Sequence, residues 1–200
     1  MLTKNGSIEI SLDEFLSGRD KKSVWYDTYP VIVDETDTNK IITIYISDVI
    51  AAPYEFNKAF HTILKARPED LIIVHINTPG GAIDSANMLC HALENTAAKV
   101  HGVLTGSVCS AGTLITMYCD TIEVATGCAF MIHNYSAGLA GKGHEIKAQQ
   151  KFMDTELNEY FANVYGGFLT PEEIASVIEG KDLWLSKAEV EERWANKTLS

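Results

Sequence analysis

Beyond residue 40 the chain alternates apolar runs of strand length with longer stretches whose apolar positions recur at helical spacing. Residues 41–47 (IITIYIS) are rich in β-branched side chains and predict a strand. Residues 52–66 predict an amphipathic helix with Phe56, Phe60, Ile63 and Leu64 on one face. Residues 71–77 (LIIVHIN) predict a second strand, apolar enough to be buried on both faces. It stops at Thr78-Pro79-Gly80-Gly81, and 82–97 predict the next helix. The alternation continues with a strand at 100–105, a helix at 111–119 opened by Ser110, and short strands at 121–125 and 130–133. A long helix is predicted at 145–164, with Ile146, Met153, Leu157, Tyr160, Phe161 and Val164 in one stripe. Pro171 opens a shorter helix at its favoured first-turn position, and 187–194 form the last.

Successive βα units imply parallel strands joined by right-handed crossovers, hence an α/β fold. Upstream lies a polar, irregular segment, 1–40, with strand-like pieces at 7–11 and 31–33 and a turn-rich DETDTN run at 34–39. The expected organisation is that divergent N-terminal segment followed by one domain over 41–200, without an internal linker or repeat.

Composition narrows the class. Hydrophobic residues make up 46% and charged residues 22% of 200, ordinary values for a soluble globular chain with one sizeable core. No apolar run reaches the roughly 18 residues of a membrane span, and no apolar stretch follows Lys4 as in a secretory signal. A cytoplasmic location is the expectation. Cys90, Cys109, Cys119 and Cys128 lie nine to nineteen residues apart, with no CxxC pair, and read as reduced thiols in or near the core. The formal net charge of −11 repels phosphate backbones, and no basic cluster interrupts it, which argues against nucleic-acid binding.

Candidate chemistry gathers at a few turns. Gly106-Ser107-Val108-Cys109-Ser110-Ala111-Gly112 joins a strand to a helix through small residues and places Ser110 where helical amides are unpaired. A hydroxyl there can attack a carbonyl while neighbouring N–H groups receive the oxyanion. Serine is also a preferred helix cap, and in isolation that reading is the stronger one. Thr78-Pro79-Gly80-Gly81 is a second strand-to-helix turn; two glycines let backbone amides approach a ligand, or simply make a tight turn. The two turns end neighbouring units of one sheet, so their amides could converge at the strand carboxyl ends. His133 closes a short apolar strand ahead of a glycine-rich loop, whereas His75 lies inside a buried strand pattern. Position alone does not single out one of the six histidines. Residues 138–143 (GLAGKG) lack the lysine-serine/threonine ending of a phosphate loop. Asp182, in the apolar segment Leu183-Trp184-Leu185 and its approach, needs a partner or helix-end solvation.

Taken in order, these segments resemble the proteolytic subunit of the Clp protease family. NTPGG at 77–81 is similar to that family's N-S-P-G-G turn, GSVCSAG at 106–112 to its G-x-x-x-S-x-G, MIHN at 131–134 to its M-I-H-Q, and DLWLS at 182–186 to its D-x-F-x-S. The resemblance covers roughly residues 40–195. It implies a ClpP/crotonase-type spiral of βαβ units with a protruding helical handle near 145–165. It implies a serine endopeptidase working through an acyl-enzyme, with Ser110 as nucleophile, His133 as general base and Asp182 orienting the imidazole. The oxyanion hole would be the backbone N–H groups of Gly81 and Ala111. Gly81, Ala82 and Ile83, and Asn134 on the other side, would pair with an extended peptide, which conflicts with a helix beginning at 82. The resemblance implies no cofactor and no metal. It implies a heptameric ring or stacked double ring, fed peptide or unfolded protein by an AAA+ unfoldase.

The chain departs from the family pattern at Asn134-Tyr135, where Gln-Pro is usual, at Ala111, where methionine is common, and throughout 1–40. Two other classes fit parts of this pattern. A crotonase-type acyl-CoA enzyme shares the spiral core and paired-amide hole without needing the triad, and a ClpP-like scaffold or pseudoprotease would keep the fold alone. A phage-encoded member processing a dedicated protein is compatible with the unusual N-terminus.

Overall fold

The β-branched runs form strands of a single sheet in the computed structural model, which describes residues 31–35 and 38–199. The strand expected at 7–11 lies outside the described residues. In chain order the strands are β1 (Val31–Glu35), β2 (Lys40–Ile46), β3 (Leu71–Thr78), β4 (Lys99–Cys109), β5 (Thr121–Val124), β6 (Ala129–Ile132) and β7 (Leu183–Leu185). The helices are α1 (Asn57–Leu64), α2 (Ile83–Glu94), α3 (Ala111–Met117), α4 (Gly143–Tyr165), α5 (Pro171–Ile178) and α6 (Lys187–Leu199). The sheet runs β1-β2-β3-β4-β6-β7, with β5 also paired to β4. β2 to β6 are parallel, as βα alternation requires, and the two outer strands are antiparallel. β1 thus belongs to the sheet although it precedes residue 40.

One face of this sheet is the core. Ile42, Ile44 and Ile46 of β2 and Ile72, Val74 and Ile76 of β3 are buried there against Ala59 and Ile63 of α1 and Ala86 and Leu89 of α2. Each fully buried aliphatic side chain contributes about 1.5–3 kcal/mol. The other face corrects the expectation that β3 is buried on both sides: Leu71, Ile73 and His75 are only half-buried. His75 is not a core residue but stacks on Tyr45 of β2, ring centroids 4.8 Å apart and 7° from parallel.

Three element boundaries differ from those read in the sequence. Pro53–Phe56 is a 3-10 turn and α1 starts only at Asn57. β4 runs past Thr105 to Cys109 despite Gly106 and Ser107. It changes partner there, pairing with β5 at 101–104 and with β6 at 107–109, and Gly106, at φ 56°, makes the bend. The long helix buries only Phe161 and Tyr165, so its N-terminal part stands away from the core, with Phe152 66% exposed. Four cysteines, Cys90, Cys109, Cys119 and Cys128, are buried and unpaired with one another, as expected. Among the described residues no helix is long and apolar enough to cross a membrane.

The C-terminal helices are tied together by a bidentate pair. Arg193 of α6 donates from Nη1 and Nη2 to the two carboxylate oxygens of Glu173 on α5, both at 2.7 Å. This guanidinium holds the Glu173 carboxyl below its usual range. A lowered carboxylate stabilises the fold above the unfolded-state value near about 4.3, and that stabilisation is lost as pH falls through the lower folded value. Glu173→Gln should therefore cost about 1 kcal/mol at pH 7, and the difference from wild type should shrink toward pH 3. Urea unfolding at the two pH values measures it; a difference that is unchanged by pH would mean the charge of Glu173 is not what stabilises.

Candidate active site

Between β4 and α3 the whole reversal of the chain falls on one residue. Ser110 has φ 54° and ψ −125°, and among the described residues it is the only non-glycine with positive φ. Such a conformation costs on the order of 1–3 kcal/mol and persists only where its surroundings impose it. Here the Ser110 N–H donates to the Met131 carbonyl of β6 at 2.9 Å. The Ser110 carbonyl accepts from the Thr113 N–H at 2.9 Å and from Thr113 Oγ1 at 2.7 Å. The side chain does not cap α3. Its hydroxyl is left to the cavity beside it, so the cap reading, which the sequence favoured for an isolated serine, does not hold. Cys109, the neighbouring thiol, is buried, and burial pushes it up and away from the thiolate form.

The glycine turn after β3 packs directly against Ser110. A Cβ on Gly80 would lie 2.5 Å from Ser110 Cβ and 3.1 Å from the Ala111 nitrogen. Buried Thr78 fixes this turn, donating from Oγ1 to the Asp48 carbonyl at 2.6 Å and accepting from the Gly80 N–H at 3.0 Å. Ile50 donates to the Gly80 carbonyl at 2.8 Å and accepts from the Ala82 N–H at 2.7 Å, forming a parallel bridge opposite Gly81. In such a bridge the N–H and C=O of Gly81 point the other way, away from Ile50. The conflict over this segment resolves in the middle: Ala82 is extended (φ −63°, ψ 116°) and α2 begins at Ile83.

His133 follows the last residue of β6 and is half-buried. The antiparallel ladder of β6 and β7 pairs Phe130 with Leu185, Met131 with Trp184 and Ile132 with Leu183. His133 directly follows β6 and Asp182 directly precedes β7, so the two flank the same end of that ladder. Ser110 and His133 line the same cavity, whereas Asp182 is exposed and borders a separate shallow depression with Glu173, Ser176 and Lys181. Among the described residues no hydrogen bond joins Ser110 to His133 or His133 to Asp182. Asn134 donates from Nδ2 to the Ile178 carbonyl at 2.9 Å and accepts from the Tyr135 N–H at 2.8 Å, which holds its side chain toward α5.

The cavity holds about 210 Å³. Gly81, Ala82, Ile83, Ser110, Ala111, His133 and Asn134 line it from the two turns and the end of β6. Leu114 of α3 and Met153, Leu157, Tyr160, Phe161 and Tyr165 of α4 form its apolar side. Tyr135 donates to the Asp154 carboxylate of α4, tying the loop after His133 to that helix. Sequence reasoning missed this apolar wall as part of the site. Its signal was present in the stripe of the long helix, but a stripe at helical spacing reads first as packing. Thr113 and Tyr135 carried no signal of their own. His61, His91 and His144 are exposed and none of them lines the cavity.

Known proteins resemble this chain in sequence and in fold. The family model described as Clp protease matches residues 21–193. The chain is 32% identical over 132 residues to the ATP-dependent Clp protease proteolytic subunit 2 of Pseudomonas aeruginosa, a stretch covering 64% of each protein. It is 30% identical over 136 residues to the proteolytic subunit 3 of Rhizobium etli, covering 64% of this chain and 68% of that one. Among solved structures, a ClpP1 point mutant from Listeria monocytogenes superposes with a TM-score of 0.58 at 22% identity, over 76% of this chain and 86% of that one, and so shares its fold. With a family match running through both turns, His133 and Asp182, the chain belongs to the Clp protease family.

Proposed function

We propose that the protein is a serine endopeptidase that cleaves peptide bonds through an acyl-enzyme on Ser110. The observation that carries this reading is the uncapped Ser110 hydroxyl, held on a strained turn against the Gly80–Gly81 turn and sharing one cavity with His133. His133 takes the Ser110 proton as the hydroxyl attacks the substrate carbonyl, then gives it to the leaving amine. The N–H groups of Gly81 and Ala111 receive the oxyanion. Asp182, just before β7 as His133 is just after β6, fixes the imidazole tautomer and stabilises its charged form. The extended Gly81–Ala82 segment pairs with the substrate backbone, Ile83 and Asn134 bound it, and the apolar wall of α3 and α4 takes an apolar side chain beside the scissile bond.

Family membership and the shape of α4 support a chamber arrangement. A helix that leaves Phe152 exposed and buries only its last turn suits a contact between rings, and the named relatives are subunits of ATP-dependent proteases. The reading is a homo-oligomeric ring or double ring, heptameric, supplied with unfolded protein by an AAA+ ATPase.

A fluorophosphonate probe tests the chemistry directly. One label per chain on Ser110 of folded, assembled protein, together with peptide hydrolysis, is the expected result. Absence of label, or a label on another residue, would overturn the assignment.

A further inference from the structure

A fully buried polar contact behind the nucleophile joins Thr113 of α3 to Tyr165 at the end of α4. Thr113 is 0% and Tyr165 1% exposed. Their oxygens are 2.5 Å apart. Thr113 Oγ1 donates to the Ser110 carbonyl, so its lone pairs remain for the Tyr165 O–H, which makes the phenol the donor. The direction is Tyr165 O–H to Thr113 Oγ1, and Thr113 O–H to Ser110 C=O. Burial pushes the Tyr165 phenol well above its ordinary range, so it stays a neutral donor.

The carbonyl of Ser110 and the N–H of Ala111 are the two ends of one planar trans peptide. They point in opposite directions, so whatever fixes the carbonyl fixes the N–H. Resting on the peptidase reading, we infer that Thr113 and Tyr165 are positioning residues that clamp the Ser110–Ala111 peptide from behind and so aim the Ala111 N–H at the developing oxyanion. The helical hydrogen bond from the Thr113 N–H to the same carbonyl is not enough alone. Ser110 sits at φ 54°, and a peptide beside a strained residue gains by rotating unless it is held by more than one donor. Because the Tyr165 ring also lines the cavity, the wall that receives the substrate side chain and the clamp on the oxyanion amide are the same residue.

The test compares Thr113→Val, Tyr165→Phe, the double variant and Thr113→Ser, each first shown to fold and assemble like wild type. A fluorogenic peptide amide reports kcat and KM, and a peptide aldehyde, which forms a tetrahedral adduct, reports oxyanion binding. Thr113→Val and Tyr165→Phe should lower kcat about 10- to 100-fold and weaken the aldehyde in parallel, with KM within about twofold. The double variant should be no worse than the poorer single one, and Thr113→Ser, which keeps the hydroxyl, should restore kcat. Wild-type kcat in the two single variants overturns the clamp while leaving the peptidase reading intact. So does a loss confined to KM, or a Thr113→Ser as impaired as Thr113→Val. Wild-type protein that neither hydrolyses peptide nor takes the fluorophosphonate label overturns both.

Discussion

Ser110→Ala is expected to lower peptide hydrolysis at least about 10,000-fold and to leave the fold intact. The first half follows from removing the atom that forms the acyl-enzyme. The second follows from the local structure. Alanine keeps the Cβ, so the backbone at φ 54° is no more strained than before, and the lost hydroxyl caps nothing. The clamping bonds to Met131 and Thr113 use the Ser110 main chain and survive the substitution. Stability should therefore stay within about 0.5 kcal/mol of wild type in urea unfolding. His133→Ala should be nearly as inactive, and the double variant no worse than either, because nucleophile and base act as a unit. Asp182→Asn should lie between, about 100- to 10,000-fold down, since it leaves both reacting groups in place and disturbs only the imidazole. Residual hydrolysis by Ser110→Ala at a tenth of the wild-type rate would sink the acyl-enzyme mechanism. A wild-type rate for Asp182→Asn would remove Asp182 from it.

The order of elements was legible because the β-branched runs at 41–47 and 71–77 have one physical explanation in a chain of this length, and β2 and β3 form there. Burial was less legible. Residues 71–74 form an unbroken apolar run, but an exposed face of a sheet and a covered one can carry the same residues; only the structure shows Ile73 and His75 half-covered. The end of β4 was hidden by Gly106, which normally marks a turn but here bends a strand that continues. The turns of the site could be seen, but not their closeness. Nothing in Thr78-Pro79-Gly80-Gly81 or in residues 106–112 states that Gly80 lies against Ser110, since that depends on β3 and β4 being neighbours with a shifted register between Ile76 and Thr78. Asp182 came from order and resemblance; its nearness to the end of β6 depends on a three-residue antiparallel strand, too short to announce its pairing in sequence. Thr113 and Tyr165 lie 52 residues apart, and only the packing of α4 on α3 brings them together.

That closeness of the two turns makes Gly80 the glycine that reports on their contact. Gly80→Ala should destabilise the protein by about 2–4 kcal/mol and abolish fluorophosphonate labelling in whatever fraction remains folded. Two effects add. At φ 99° a side chain is strained whatever the space around it, by about 1–2 kcal/mol. The new methyl would also meet Ser110 Cβ at 2.5 Å, the Cys109 carbonyl oxygen at 2.9 Å and the Ala111 nitrogen at 3.1 Å. None of these is the end of a flexible side chain. Relief requires one turn to move off the other, which separates the two backbone segments that carry the proposed oxyanion amides. Gly127→Ala supplies the comparison. Its φ of 81° is similarly unfavourable, but a Cβ there has nothing within 4 Å, so only the strain of about 1 kcal/mol should register and labelling should continue at the wild-type rate. Urea midpoints and labelling rates of the two variants separate conformational strain from displacement of the site. Equal effects at the two glycines would show that strain alone is being measured, and that the contact between the turns does not hold Ser110 in place.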